Sequence, residues 1–245
     1  MKKLVAYITT GYPSVDFSVD LALALKEAGA DILELGIAFS DPVADGPVIE
    51  EANLRSLQNG FKVQDIFDIS QKVTDKIETY WMGYFNSFYH KGMENISNIA
   101  KDSGVKGFII PDLPHEEAMA YKSLLKKQEL SLVNFVAPTD GDERIKKVVK
   151  DSDGFIYLVA YAGITGSGTS EDLSRVIEQV KQQSQTPLFV GFGVNEKTAK
   201  EKSAGVDGVI VGSAFVKILL DDALSGTQKI EKISKIAKNI KDAIN

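Results

Sequence analysis

Cysteine is absent from this chain of 245 residues, and its absence removes several kinds of chemistry at once. Disulfides, cysteine-ligated zinc, iron–sulfur clusters and a thiol nucleophile are all excluded. No long basic run is present, and the net charge of -6 argues against nucleic acid as a partner. No apolar run approaches membrane-spanning length, and the opening MKKLVAYITTGYPS is too short for a secretory signal. We therefore expect a cytoplasmic protein that contacts neither nucleic acid nor membrane.

Histidine is also scarce, because the chain has only His90 and His115. The two residues lie apart in loop-like segments, so we expect both to be exposed and we expect no metal site. Glycine-rich loops of the GxGxxG and Walker types are both absent.

Short apolar segments that alternate with helical patterns make up the rest of the chain. Most of these segments are continuous apolar runs, which are typical of parallel strands covered on both faces. Eight such units in this length predict a (β/α)8 barrel, with a doubly wound open sheet as the alternative. No linker-like stretch divides the chain, so we expect one domain over residues 1–245. The predicted strands cover residues 4–9, 32–37, 80–85, 107–111, 132–137, 154–160, 187–192 and 208–212.

The most informative stretch is DILELGIAFSDPVADGPVIE, residues 31–50. Glu34 shares a strand face with Ile32 and Gly36, because alternate residues of a strand point the same way, so Glu34 should be at least partly buried. Asp45 lies in the loop that follows. A carboxyl on a strand and another on the next loop form a candidate general acid/base pair. A structural salt bridge with a helix-capping aspartate explains the same residues about equally well.

Three glycine-bearing segments follow the last three predicted strands, over residues 162–169, 191–194 and 211–214. Glycine lets backbone N–H groups approach an anion closely, and this corner of a barrel often binds phosphate. We therefore expect a phosphorylated substrate, although tight turns and helix packing also use such glycines. Tyr157 and Phe192 lie beside these segments and could form a wall for a flat ring, with a core position as the alternative for each.

The segment LELGIAFSDPVADGPVI closely resembles the signature of the tryptophan synthase alpha chain family, LELGxPFSDPxADGPxI. The similarity extends along the whole chain. The further segments that fit this family in order are TTGYPS, MGYFN, PDLPHEE, AGITG, VGFGV and VGSA.

This resemblance implies a lyase that cleaves indole-3-glycerol phosphate to indole and glyceraldehyde 3-phosphate without a cofactor. Glu34 and Asp45 fall at the family's catalytic glutamate and aspartate, and Tyr157 and Phe192 at positions lining the indole pocket. Thr165 matches a threonine that contacts the catalytic aspartate when its loop closes. The implied phosphate-binding positions are Gly166, Gly193, Gly212 and Ser213.

The family works with a beta chain in an α2β2 complex, and indole passes to that partner. The resemblance implies that the acidic loop, Asn86 and the turn around Asp112 contact the partner. Two departures are visible. Ala38 stands where the family usually has proline, and the helix that commonly precedes the first strand is missing or very short.

Three alternatives keep part of this interpretation. A stand-alone lyase would have the same site without a partner. Another phosphate-sugar barrel isomerase or aldolase would share the glycine corner, but the predicted strands carry no interior lysine for a Schiff base. A non-catalytic binding protein on the same fold would not need Glu34 and Asp45.

Overall fold

The computed structural model describes residues 1–160 and 173–245. Nine strand segments form one sheet in this part of the chain, and the paired strands run parallel. They are β1 (Lys3–Thr9), β2 (Ile32–Gly36), β3 (Glu78–Met82), β4 (Gly107–Ile109), β5 (Ser131–Leu132), β6 (Asn134–Val136), β7 (Ile156–Val159), β8 (Leu188–Gly191) and β9 (Gly208–Val211).

The order of the strands closes the sheet into a barrel. The order is β5-β4-β3-β2-β1-β9-β8-β7-β6, so β5 and β6 are its two ends. Only Val133 separates these two segments in the chain, so they are one strand with a break. The predicted (β/α)8 barrel is therefore confirmed, and the open doubly wound sheet is wrong. The strand predicted over residues 132–137 is the one that is broken.

Helices connect the strands, and within the described residues each helix is either too short or not apolar enough to cross a membrane. Local signals set several of their limits. Ser14 caps the first helix by accepting the Phe17 N–H at 3.1 Å, and Pro47 opens the second. The helices are α1 (Val15–Glu27), α2 (Pro47–Gln58), α3 (Val63–Val73), α4 (Phe85–Tyr89), α5 (Met93–Asp102), α6 (His115–Lys127), α7 (Asp142–Lys150), α8 (Ser174–Gln183), α9 (Ala199–Lys202), α10 (Ser213–Leu219) and α11 (Gly226–Ile244).

Two apolar layers hold the barrel together. The larger layer packs the outer faces of the strands against the helices and includes Leu33, Leu35 and Trp81, all fully buried. The smaller layer is a ring of eight side chains inside the barrel, contributed by residues within the strands or directly beside them. Val133 takes part in this ring, so the break in the fifth strand still fills the interior. The ring consists of Val5, Ile32, Tyr80, Ile109, Val133, Phe155, Phe189 and Ile210.

The start of the barrel is tied to the last helix. β1 begins at Lys3. Lys241 of α11 donates to the carboxylate of Asp31 at 2.6 Å and to the backbone carbonyl of Lys2 at 2.8 Å. Because the carboxyl ends of parallel strands all lie at the other end of the barrel, the loops after β2, β8 and β9 share that end.

Candidate active site

Glu34 lies inside the barrel, as the strand alternation predicted. Its register partners are Tyr7 of β1 and Tyr80 of β3, and Ile32 on the same face belongs to the interior ring. The residue is 2% exposed, and its Oε1 atom has no hydrogen-bond partner among the described residues. Burial raises the pKa of Glu34 to about 8, because the charged form loses hydration without a compensating contact. Glu34 is therefore a neutral carboxylic acid at pH 7.

Asp45 lies in the loop between β2 and α2, and its pKa is also raised, to about 6. Burial is the main cause, and a smaller repulsion from Glu50 adds to it. Hydrogen bonds from Tyr84 and Asn53 act in the opposite direction, because they favour the charged form. The Nδ2 atom of Asn53 lies 3.3 Å from the Oδ2 atom of Asp45. At pH 7 Asp45 is mostly a carboxylate.

The alternative of a structural salt bridge and a helix-capping aspartate does not fit the surroundings of the two acids. Within the described residues Glu34 takes part in no ion pair, and its Oε1 atom has no hydrogen-bond partner. The residue that caps α2 is Gly46, so Asp45 is not the helix cap. A buried, unpaired carboxyl is costly, and groups of this kind cluster at functional sites.

Two tyrosines are each affected by the charges of both acids. Tyr7 of β1 and Tyr157 of β7 both have a pKa raised well above the usual value, first by burial. The charges of Glu34 and Asp45 raise both pKa values further. Glu34 and Asp45 therefore both lie within electrostatic range of Tyr7 and Tyr157.

Tyr7 is a site residue that the sequence interpretation missed. Its ring lies over Gly36, where an added Cβ atom would be 2.4 Å from the phenol oxygen. The same ring also lies beside Gly212, which precedes α10, because a Cβ atom added there would be 3.4 Å from Tyr7 Cδ1. The available signal was the alternation of Val5, Tyr7 and Thr9 along β1, which points Tyr7 into the barrel beside Glu34.

The predicted aromatic wall is present as a pair of rings. Tyr157 and Phe192 meet edge to face, with centroids 6.2 Å apart and an angle of 69°. Phe192 is 37% exposed, so a core position for it is wrong. Its backbone has φ of 72°, in the left-handed region that non-glycine residues seldom adopt. This backbone turns the chain sharply at the end of β8 and leaves the ring at the mouth.

The glycine corner lies at the same end of the barrel. Gly193 follows Phe192 with φ of 69°, and Gly212 caps α10, whose first residue is Ser213. The first N–H groups of a helix have no partner within it, so the backbone here offers donors to an anion. Thr165 and Gly166, the other two predicted residues of this corner, lie outside the described residues.

The two residues implied at the partner surface lie next to each other. Asp112 follows β4, and its Oδ1 atom accepts the backbone N–H of Phe85 at 2.8 Å. Phe85 is the first residue of α4, and Asn86 is the second. Both Asn86 and Asp112 are exposed.

The expectation for the histidines is half wrong. His90 is exposed, but His115 is buried, because it opens α6 and packs beneath it with Nδ1 3.5 Å from Asn134 Oδ1. The described part of the chain holds no cluster of three or more histidine, aspartate or glutamate side chains suited to a metal ion.

The fold is a (β/α)8 barrel, and the two buried acids near its mouth are of the residue types used for acid–base chemistry in enzymes of this class. The family described as tryptophan synthase alpha chain matches residues 1–245. The chain belongs to the tryptophan synthase alpha chain family, and it is a lyase for the cleavage of indole-3-glycerol phosphate.

Individual relatives agree along the full length. The tryptophan synthase alpha chain of Wolinella succinogenes is 54% identical over 246 residues, which cover 100% of this chain and 96% of the relative. A structure of tryptophan synthase subunit alpha from Campylobacter jejuni has a TM-score of 0.86 at 33% identity, with 96% of this chain and 95% of that chain covered. A structure of tryptophan synthase from M. tuberculosis has a TM-score of 0.88 at 30% identity, covering 100% and 94%.

Proposed function

We propose that Glu34 and Asp45 perform the acid–base chemistry by which this lyase releases indole. The observation that carries the proposal is the buried Glu34 carboxyl, which stays protonated at neutral pH and lies, like Asp45, within electrostatic range of Tyr157. A proton donor needs a pKa near the working pH, and an ion-pairing group needs to be charged. The two different environments give the two acids different roles.

The reaction breaks the bond between indole C3 and the glycerol chain. Glu34 donates its proton to C3, which leaves positive charge on the ring nitrogen. Asp45 accepts the hydrogen bond of that N–H and stabilises the charge. Glu34, now a carboxylate, takes the proton of the adjacent hydroxyl. The carbon–carbon electrons return to the ring, the hydroxyl carbon becomes an aldehyde, and Glu34 is protonated again.

The remaining site residues bind the two ends of the substrate. Tyr157 and Phe192 contact the indole ring, and the backbone N–H groups of Gly193, Gly212 and Ser213 bind the phosphate. From the loop after β7, Gly166 adds a phosphate-binding N–H group, and Thr165 contacts Asp45 when that loop closes. No lysine or arginine stands in the glycine segments, so main-chain donors supply most of the phosphate binding. The ring at one end and the phosphate at the other fix the scissile bond between the two acids.

The partner is a tryptophan synthase beta chain, in an α2β2 complex located in the cytoplasm. The turn formed by Asn86 and Asp112 and the acidic loop that carries Asp45 make the contact surface. The support is their placement, because both lie beside the barrel mouth through which indole leaves. Residues 1–245 act here as one barrel domain.

The test is incubation of the purified chain with indole-3-glycerol phosphate and an assay for free indole, with and without a beta chain. Wild type should release indole, and Glu34→Gln should reduce turnover by at least about 10²-fold while it still binds a glycerol-phosphate analogue. Near wild-type turnover in Glu34→Gln would refute the assignment. Equal rates with and without the beta chain would favour the stand-alone lyase.

A further inference from the structure

Tyr84 is the first residue after β3 whose side chain turns toward the acidic loop, and it is 1% exposed. Its ring stacks on Phe39 of that loop, with centroids 5.3 Å apart and an angle of 20°. A stacked, buried ring has little freedom to move, so its hydroxyl is held at a fixed point. The sequence interpretation gave Tyr84 no role.

The Tyr84 hydroxyl interacts with two consecutive residues of the acidic loop. The oxygen accepts the backbone N–H of Ala44 at 3.0 Å. The Asp45 carboxyl lies near the same hydroxyl, which lowers its pKa. An acceptor role toward Ala44 leaves the O–H proton of Tyr84 available to face that carboxylate.

Asn53 of α2 supports Asp45 from the other side. Its side chain is 2% exposed, and its Nδ2 atom donates to Asp45 Oδ2, while its own Oδ1 has no partner among the described residues. Because Tyr84 holds the backbone of the preceding residue, Ala44, and Asn53 holds the carboxylate, the orientation of Asp45 is set before a substrate arrives.

The backbone of Tyr84 is fixed from the outside of the barrel. Tyr84 is the residue that precedes α4, and the next N–H, that of Phe85, is held by Asp112 Oδ1 at 2.8 Å. Asp112 is exposed in the turn after β4. A short path therefore runs from the surface carboxylate of Asp112 to the Phe85 N–H, and from the adjacent Tyr84 side chain to Ala44, the residue before Asp45.

We infer that Tyr84 is a positioning residue that holds Asp45 in its working orientation and ties it to the surface turn formed by Asn86 and Asp112. This inference rests on the proposed role of Asp45 and extends it to a residue that does not touch the substrate. A beta chain that binds at this turn would act on Asp45 through Tyr84.

The inference has a readout in the pH profile. Among the groups that face Asp45, Tyr84 and Asn53 lower its pKa, and Glu50 raises it. Tyr7 and Tyr157 also face it, and both remain neutral phenols at pH 7. Loss of the Tyr84 hydroxyl should therefore move the acid limb of activity to higher pH.

The experiment uses Tyr84→Phe, which keeps the stacked ring and removes the hydroxyl. We expect kcat for indole release to fall roughly 10- to 100-fold, with KM changed little and the acid limb moved to higher pH. Tyr89→Phe is the matched control, because Tyr89 is 60% exposed on α4 and its hydroxyl faces water. A Tyr84→Phe enzyme with wild-type kcat and an unmoved acid limb would overturn the inference.

The coupling to the surface is tested with Asp112→Ala and the double variant. Asp112→Ala should lower kcat in the same direction by a smaller factor, and the double variant should be no slower than Tyr84→Phe alone. Effects that multiply independently, or a silent Asp112→Ala, would overturn the connection. Because Asp112 is exposed, this arm remains informative if Tyr84→Phe does not fold. Glu34→Gln separates the two claims, since an active Glu34→Gln enzyme would defeat the proposed function itself.

Discussion

The hydroxyl of Tyr157 lies where the side chain of residue 191 would be, and it does so because residue 191 is glycine. A Cβ atom on Gly191 would stand 2.3 Å from that oxygen, well inside contact distance. A second tyrosine and glycine repeat the arrangement, because a Cβ atom on Gly36 would stand 2.4 Å from the hydroxyl oxygen of Tyr7. Two large phenols therefore fit at the mouth only because two strands present no side chain beneath them.

Gly191→Ala should consequently displace the Tyr157 ring from its place beside Phe192. We expect a loss of roughly 1–3 kcal/mol in the free energy of unfolding, as for other overpacked interiors, with a larger relative loss of indole release. Gly141→Ala is the control, because no atom lies within 4 Å of its added Cβ. Equal melting temperatures and rates for the two variants would contradict the fit described here.

The activity of the chain should have a bell-shaped pH dependence. The reaction needs Asp45 ionised and Glu34 protonated, and their pKa values are about 6 and about 8. Thus kcat/KM should rise through about pH 6, peak near 7 and fall through about pH 8. In Asp45→Asn the residual activity should no longer rise through about pH 6. A rate that keeps rising above pH 9 would exclude Glu34 as the acid.

Glu34 should also make the stability of the protein depend on pH. The unfolded chain releases this proton near the usual value of 4.5, whereas the folded chain keeps it to about pH 8. The folded state therefore binds more protons between these values, and its stability falls as pH rises across that window. Glu34→Gln removes the penalty, which is on the order of a few kcal/mol at pH 8.

The measurement is the difference in melting temperature between Glu34→Gln and wild type at pH 5 and at pH 8. We expect the variant to gain on the order of 5–10 °C relative to wild type between these two conditions. The cost of burying the amide is the same at both pH values, so it cancels. A difference that does not change with pH would show that Glu34 is ionised in the folded protein.

Ser213→Asp should weaken substrate binding by placing a negative charge at the proposed phosphate corner. We expect KM for indole-3-glycerol phosphate to rise roughly 10- to 100-fold with a smaller change in kcat, because the repulsion acts on binding. Thr227→Asp is the control, since it adds the same charge to the first turn of α11. If both variants shift KM equally, the phosphate does not bind beside Ser213.

The sequence predicted the barrel and the side of β2 on which Glu34 lies, because both depend on short-range periodicity. Period-two alternation placed Glu34 with Ile32, and the glycine segments marked the mouth. What it missed depends on contacts between distant residues. The third strand was predicted to run to Phe85, yet Asp112 binds the Phe85 N–H and a helix begins there.

Two further differences have the same cause. His115 is buried because α6 packs over it, and nothing local to a histidine after a proline signals that cover. The Tyr7 ring lies over Gly36 of the neighbouring strand, and the register of these two strands is set only when the sheet assembles. The pKa of Glu34 likewise results from the whole interior rather than from its neighbours in sequence.

The break at Val133 marks the place where the barrel should open first. β5 meets β4 through only two register pairs, whereas β1 and β2 share five. A thermal fluctuation that separates this seam would expose few apolar side chains and would need few hydrogen bonds to rupture. Backbone amides beside Val133 should consequently exchange with deuterated solvent sooner than those of β1. The barrel would then open between β5 and β6 while the pairing of β1 with β2 stays intact.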